Sequence, residues 1–387
     1  MSPKSAVLLT VFIDVVGLGI IIPVLPFYVE SFNVTPFVVT LLFSVYALCS
    51  FISAPFLGAL SDKVGRRPIL LISIFSSAVG WFVFSFASSV FMLFLGRVID
   101  GLAAGNISTA RSYMVDMAGD DKKERMKAMG MIGAIFGMGF IIGPAIGGLT
   151  GALHGSLPFF IVAIMSSINF FLAYFILPET LLHADTKHFK DAFKVNPFSP
   201  IIRAFGDELR VSGYFSWLLM LTSAGVYQGI FAIYLQKVFG RGQGEVGLAM
   251  AITGVMMVLM QIYFLPKLTH AFEEVVIEKV SFVILIISFL FMAVPYITVF
   301  YFGMILSILS QSMLRVTINH GLLHNSESSQ GEIMGVTGAL MSVSMIFGPL
   351  IAGFVFSFSS VLVFATASFI ALLSMFSARN FRLKAVS

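Results

Sequence analysis

Charge is what this sequence has least of. Only 11% of its 387 residues are Asp, Glu, Lys or Arg, while 58% are hydrophobic; soluble domains carry roughly 25% charged residues. No water-soluble core could absorb that much apolar surface, so a soluble globular protein is excluded. Cysteine is nearly absent as well. The single Cys49 permits no internal disulfide, and its place within an apolar run points to packing rather than to redox or metal chemistry. His154, His183, His188, His270, His320 and His324 are scattered with no His/Asp/Glu constellation, so no metal site is expected. The chain has no Gly-x-x-x-x-Gly-Lys-Ser/Thr phosphate loop, which argues against ATP as an energy source. Nothing resembles a nucleophile with its base, so no enzyme and no cofactor are predicted. The net charge of +4 reports membrane orientation rather than nucleic-acid binding.

What the chain has is long apolar runs, with a mean hydropathy of +0.99. A bilayer core of about 30 Å takes roughly 20 apolar residues per helix, which allows about a dozen spans here. The runs are continuous rather than alternating, which excludes a β-barrel. Twelve spans are predicted: 5–29, 37–60, 69–87, 90–115, 126–151 and 157–177, then 211–238, 246–265, 275–294, 298–321, 333–356 and 359–377. The first is read as a span rather than a cleaved leader, because Asp14 interrupts it and no small-residue cleavage site follows. Lys4, Lys63, Arg66, Arg67, Lys122, Lys123, Arg125 and Lys127 fall on one side of the membrane. Lys187, Lys190, Lys194, Arg203, Arg210, Lys267, Arg379, Arg382 and Lys384 join them, leaving only Lys237 and Arg241 opposite. That asymmetry places both termini and the central loop in the cytoplasm.

The two halves repeat. Met129-Gly130-x-x-Gly133-Ala134 followed by Gly143-Pro144 recurs about 205 residues later as Met334-Gly335-x-x-Gly338-Ala339 with Gly348-Pro349. Six spans separate the copies, so both halves have the same topology and an axis along the membrane normal should relate them. The expected fold is an all-α polytopic membrane protein with 12 transmembrane helices in two pseudo-symmetric six-helix bundles. Residues 1–178 would form the N-terminal bundle, 179–210 a cytoplasmic central loop and 211–387 the C-terminal bundle.

The loop after the second span reads Gly58-Ala-Leu-Ser-Asp62-Lys-Val-Gly65-Arg66-Arg67-Pro68, and here the sequence resembles the major facilitator superfamily. Gly58 would permit close helix approach, Gly65 a tight reversal, and Asp62 and Arg66 charge-assisted contacts at a cytoplasmic gate. The resemblance implies that Asp62 sits near the start of the eleventh helix and that Arg66 engages Asp116. In the second half the motif has decayed, with His270, Glu273 and Glu274 at the matching positions. Span five carries Gly139-x-x-x-Gly143-Pro144-x-x-Gly147-Gly148, a small-residue ridge suited to close packing that also resembles the family's antiporter motif. The echo at Ser344, Gly348-Pro349 and Ala352 gives both halves this device.

Span one reads Asp14-Val-Val-Gly17-Leu-Gly19-x-x-x-Pro23-x-x-Pro26 and looks like the opening of the tetracycline-efflux-type drug/proton antiporters. Asp14 lies about 14 Å into its span, at 1.5 Å per residue. A bare carboxylate there costs at least about 3 kcal/mol, so it must face protein or water, where it suits reversible protonation. Span four holds Arg97-x-x-Asp100-Gly101-x-x-Ala104-Gly105. The spacing lets Arg97 and Asp100 pair at i,i+3, and Arg97 is expected to modulate the proton affinity of Asp14 or Asp100. Because spans one, four, seven and ten line the cavity in this family, the resemblance makes Asn106, Tyr227, Gln228 and Gln311 substrate-cavity candidates. Arg315 repeats Arg111 and reads as an anchor near the cytoplasmic end of span ten. The tetracycline exporters carry an acid in span nine, but residues 281–294 contain none, which argues against tetracycline itself.

The resulting expectation is a monomeric secondary transporter that exports small amphipathic compounds by alternating access, with the proton gradient as its energy source. Its partners would be a small-molecule substrate, protons and the lipid bilayer, with no nucleic acid. Proton-linked uptake of a small polar solute such as a sugar or organic acid is the alternative. A non-transporting receptor or lipid-binding protein is a third reading.

Overall fold

The computed structural model describes residues 2–119, 121–181, 196, 198–206, 210–324 and 330–384. His183, His188, Lys187, Lys190 and Lys194 lie outside the described residues. Among the described residues every regular element is helical, and twelve spans are long and apolar enough to cross a membrane. Each predicted span falls on one of them, so this is an integral membrane protein of the expected all-α class.

The helices are α1 (Pro3–Glu30), α2 (Pro36–Val64), α3 (Arg66–Ser85), α4 (Val90–Leu102), α5 (Asn106–Ala118), α6 (Lys122–Gly151) and α7 (Leu157–Ile176). After a short helix, α8 (Ser199–Gly206), come α9 (Val211–Phe239), α10 (Gln243–Leu259) and α11 (Leu265–Ala271). The chain ends with α12 (Glu274–Met292), α13 (Ile297–His324), α14 (Gln330–Phe356) and α15 (Ser360–Lys384). Two predicted spans are not continuous α-helix. Span four breaks between α4 and α5, where the Gly105 N–H turns back to the Ala103 carbonyl at 2.7 Å. Span eight carries a π-helical turn at Met260–Phe264 ahead of α11. Helix α15 also runs on past its apolar stretch, so Arg379 and Arg382 lie on a helix rather than in a loose tail.

The helices form two compact units. Unit 1 comprises Met1–Val34, Val45–Pro197 and Gly242–Ala251, and unit 2 comprises Thr35–Ser44, Phe198–Arg241 and Ile252–Ser387. In unit 1 the small-residue ridge of α6 packs directly on α1. A Cβ added at Gly143 would stand 2.8 Å from the Val16 carbonyl oxygen, and one at Gly139 would stand 2.7 Å from Val15 Cγ1. One at Gly19 would meet Pro144 Cδ at 2.9 Å, and one at Gly147 would meet Ile20 Cα at 3.1 Å. One at Gly148 would stand 2.9 Å from the Cα of Gly247 on α10. Unit 2 repeats the seam between α9 and α14: Gly348 would meet Gly225 Cα at 2.7 Å, and Gly229 would meet Pro349 Cα at 2.8 Å. Ser344 donates to the Leu218 carbonyl beside it at 3.1 Å. In lipid such backbone approach supplies the dispersion contact that hydrophobic burial supplies in water.

Aromatic rings fill both units. Tyr28 packs on Phe159 and Phe84 with centroids 5.0 and 5.7 Å away, and its hydroxyl donates to the Phe84 carbonyl at 2.9 Å. In unit 2 Tyr234 lies 5.2 Å from Phe300 and 4.8 Å from Phe364.

The seam gives a discriminating prediction. Gly143→Ala inserts a methyl against backbone and should cost about 1–3 kcal/mol, lowering the melting temperature of the purified protein. Gly130→Ala, on the same helix with nothing within 4 Å of the new Cβ, should leave the melting temperature unchanged or slightly raised.

Candidate functional site

Four close approaches in unit 1 gather its buried charges. Helices α3 and α4 meet at Gly80 and Gly96, whose added Cβ atoms would lie 3.0 Å from Asp100 Cβ and 2.9 Å from the Gly80 carbonyl oxygen respectively. Helix α2 rests on Gly101, where a Cβ would stand 2.7 Å from Cys49 Cβ, and Ser53 donates to the Gly101 carbonyl at 2.9 Å. Cys49 thus packs against Gly101, where no side chain larger than hydrogen fits. The ridge described above fixes α1, and one turn before Asp14 the Asn169 amide of α7 donates to Thr10 Oγ1 at 3.0 Å.

At the centre Arg97, 1% exposed, pairs with Asp100, 5% exposed, at 3.4 Å. The guanidinium carbon lies 4.3 Å from the Trp81 ring centroid and 4.5 Å from that of Phe84, with Tyr46 at 5.8 Å. Aromatic faces therefore stabilise the cation where water cannot. The Ser77 hydroxyl donates to Asp100 Oδ1 at 2.5 Å. Asp14 belongs to the same cluster, within electrostatic reach of Asp100 and of Tyr46. The Asn106 amide donates to Asp14 Oδ1 at 3.2 Å, while Asp14 Oδ2 is shielded from solvent and has no partner. Arg97 Nε and Nη2 and Asn106 Oδ1 are also buried without partners. The structure thus brings Asp14, Arg97, Asp100 and Asn106 together. Asn106 is a partner of the span-one carboxyl, and Tyr46, Ser77 and Trp81 complete the cluster without having been singled out in the sequence. Arg111, further along the same span, is exposed.

A second constellation surrounds the loop between α2 and α3. Gly65 adopts φ 113°, a conformation that favours glycine. Arg66 pairs with Asp62, its Nε donates to Asp116 Oδ2 at 3.0 Å, and its Nη1 donates to Ser61 Oγ at 2.7 Å. Arg67 reaches the Tyr174 carbonyl at 2.7 Å. Gly58 departs from expectation, since among the described residues a Cβ there would meet nothing within 4 Å. Sequence reading also missed Glu179. Its carboxylate accepts from the Arg66 and Arg67 backbone N–H groups at 2.9 and 3.1 Å, capping α3 from a segment 113 positions away along the chain. It lies over Gly65, where any side chain would collide with it. A carboxylate at a helix N-terminus satisfies orphan N–H groups and complements the dipole, but a cap so remote leaves no local signal.

In unit 2 Tyr227 is buried against Phe231 and Phe289, with centroids at 5.5 and 6.3 Å, whereas Gln228 is exposed. Gln311 is 5% exposed, and its Nε2 has no acceptor. The decayed motif is built differently from its counterpart: Glu274 pairs with His320 at 2.9 Å, and Lys267 sits 3.7 Å above the Tyr263 ring. Span nine does carry an acid one turn outside the window that appeared empty. Glu278, 4% exposed, accepts from Arg382 of α15 at 2.6 Å. Among the described residues no group of three or more His, Cys, Asp or Glu is placed to hold a metal ion.

A twelve-span bundle with duplicated glycine–proline seams and a buried carboxyl cluster in one unit has the architecture of a membrane transporter. The chain belongs to the Major Facilitator Superfamily, whose model matches residues 7–336. It is 30% identical over 364 residues to the tetracycline resistance protein, class G, of Vibrio anguillarum, covering 90% of this chain and 89% of that protein. It is 24% identical over 373 residues to multidrug resistance protein 2 of Bacillus subtilis (strain 168), covering 94% and 91%. In fold it is similar to the crystal structure of the nucleoside transporter NupG, with a TM-score of 0.76 at 16% identity over 99% of each chain.

Two predictions follow from these sites. Asp100→Leu leaves a buried guanidinium without its counter-charge and should cost about 3–5 kcal/mol, whereas Arg97→Met with Asp100→Leu should recover most of the loss; thermal unfolding of the three proteins checks this. Glu179→Ala should speed hydrogen exchange at the Arg66 and Arg67 amides several-fold while the interior of α3 stays protected.

Proposed function

We propose that the protein is a proton-coupled exporter of small amphipathic compounds, working by alternating access in a bacterial cytoplasmic membrane with both termini in the cytoplasm. The observation that carries this reading is Asp14, a carboxyl near the middle of α1 with one oxygen held by Asn106 and the other shielded and unpartnered. In a low-dielectric setting an unpaired carboxylate is costly, and protonation removes the cost. Gaining and losing a proton therefore changes the local free energy by enough to bias a conformational equilibrium.

Asp100 is the second acid and has a resident cation in Arg97. The two carboxyls repel within this cluster, so protonation of one alters the balance Arg97 strikes with the other. Asp14 and Asp100 would exchange protons for substrate, with Arg97 setting their relative affinities. Tyr227, Gln228 and Gln311 would contribute substrate contacts from unit 2, and the Arg66–Asp116 constellation would serve as the cytoplasmic gate. The names of the relatives support drug export as the substrate theme. The energy source is the proton gradient, and the chain acts as a monomer.

The test uses the full chain reconstituted in vesicles, with an imposed pH gradient and a lipophilic fluorescent cargo such as Hoechst 33342. Asp14→Asn should abolish gradient-driven transport with normal expression and unchanged melting temperature, and Asp14→Glu should retain part of it. Coupled transport that survives in Asp14→Asn would refute the assignment, and accumulation toward the more alkaline lumen would reverse the direction to uptake.

A further inference from the structure

Among the described residues, unit 2 contains a cation inside a span with no counter-charge. Helix α12 offers two acids to its surroundings, and both are taken: Glu274 by His320 at 2.9 Å, and Glu278 by Arg382 at 2.6 Å. Arg382 lies across Gly321 of α13, its Nη1 2.9 Å from where a Cβ would stand. Arg315, on α13 and within the span Ile297–Leu323, is half-buried. Among the described residues it makes no hydrogen bond or ion pair.

One helical turn away is the second half of the observation. Gln311 is 5% exposed and its Nε2 donor has no acceptor. Residues four apart lie on one face of a helix, so α13 presents a guanidinium and an amide N–H as neighbouring donors with no acceptor for either among the described residues. An unpaired arginine in a span and an unmade buried hydrogen bond are each unfavourable. A lipid phosphate reached by snorkelling could answer Arg315, but Gln311 lies a further turn, about 6 Å, into the span. A ligand with anionic oxygens answers both, because guanidinium binds carboxylate or sulfonate bidentately and leaves an oxygen lone pair for the amide.

We infer that the Gln311–Arg315 face of α13 is a binding subsite for the acidic group of an amphipathic organic anion, an inference that rests on the exporter reading and names part of its substrate class. Cargo carrying a carboxylate or sulfonate on an apolar body is then recognised in preference to its neutral counterpart.

The test compares dansylglycine with dansylglycinamide, which share fluorophore and size and differ by one charge, binding to the full chain in phosphatidylcholine nanodiscs with empty discs subtracted. No pH gradient is present, so the outcome is independent of whether transport is proton-coupled. The acid should bind about tenfold more tightly than the amide, in line with a charge-assisted bond. Arg315→Gln should equalise the two, Arg315→Lys should keep part of the preference, and Gln311→Leu should reduce it. Amide binding in each variant reports that the protein is folded, and Arg315→Lys and Gln311→Leu carry the test if Arg315→Gln does not fold. Equal binding of the two probes by the natural protein, or binding of neither, overturns the inference. So does a preference that survives Arg315→Gln, or one that disappears when phosphatidylglycerol replaces part of the phosphatidylcholine, which would assign the donors to a lipid headgroup.

Discussion

Charge inside a membrane span must be balanced by the protein itself, since the hydrocarbon layer provides neither water nor counter-ions. In unit 1 that requirement is met by Arg97, held between the faces of Trp81 and Phe84 and paired with Asp100. Asp14 stands beside that pair with no cation of its own. Everything else in the unit can be understood as holding this arrangement in place: Ser77 orients Asp100, Asn106 holds one oxygen of Asp14, and the break before α5 sets Asn106 at the start of a new helix. An imbalance of a single carboxyl is small enough to be settled by one proton, which is what a coupling site needs.

Backbone packing makes the charge arrangement possible. Since apolar side chains gain little by leaving lipid for protein, helices in a bilayer associate through close van der Waals contact and hydrogen bonds. The α1–α6 seam puts Gly19 against Gly143 and Pro144, and the α9–α14 seam puts Gly225 and Gly229 against Gly348 and Pro349. The same device serves both halves, yet the polar groups attached to it have diverged. Unit 1 gathers two carboxyls about Arg97, whereas unit 2 carries paired acids on α12, and among the described residues the repeat-related Arg111 and Arg315 pair with no acid in either unit. Duplication kept the scaffold, and the chemistry changed on it.

Much of the site could be read from residue spacing alone. Arg97 and Asp100 three residues apart on a helix had to be neighbours, and Gly65 ahead of two arginines and a proline marked a reversal. The reading weakened where the cause was not local. Glu179 caps α3 from 113 positions further along the chain, Tyr46 reaches the acids from another span, and Arg382 was counted as a tail charge although it neutralises Glu278 in the interior. Gly58 shows the opposite error, a glycine in a motif whose Cβ position is open space.

The sequence by itself determined the solvent of this protein, its number of spans and its internal repeat, because hydropathy and small-residue spacing are properties of a single helix and need no knowledge of its neighbours. Tertiary structure decided which polar groups find partners and which do not. Pairing depends on distances between helices, and these are set by how closely backbones approach at a few glycines, so one contact fixes the surroundings of side chains that lie far apart in the chain.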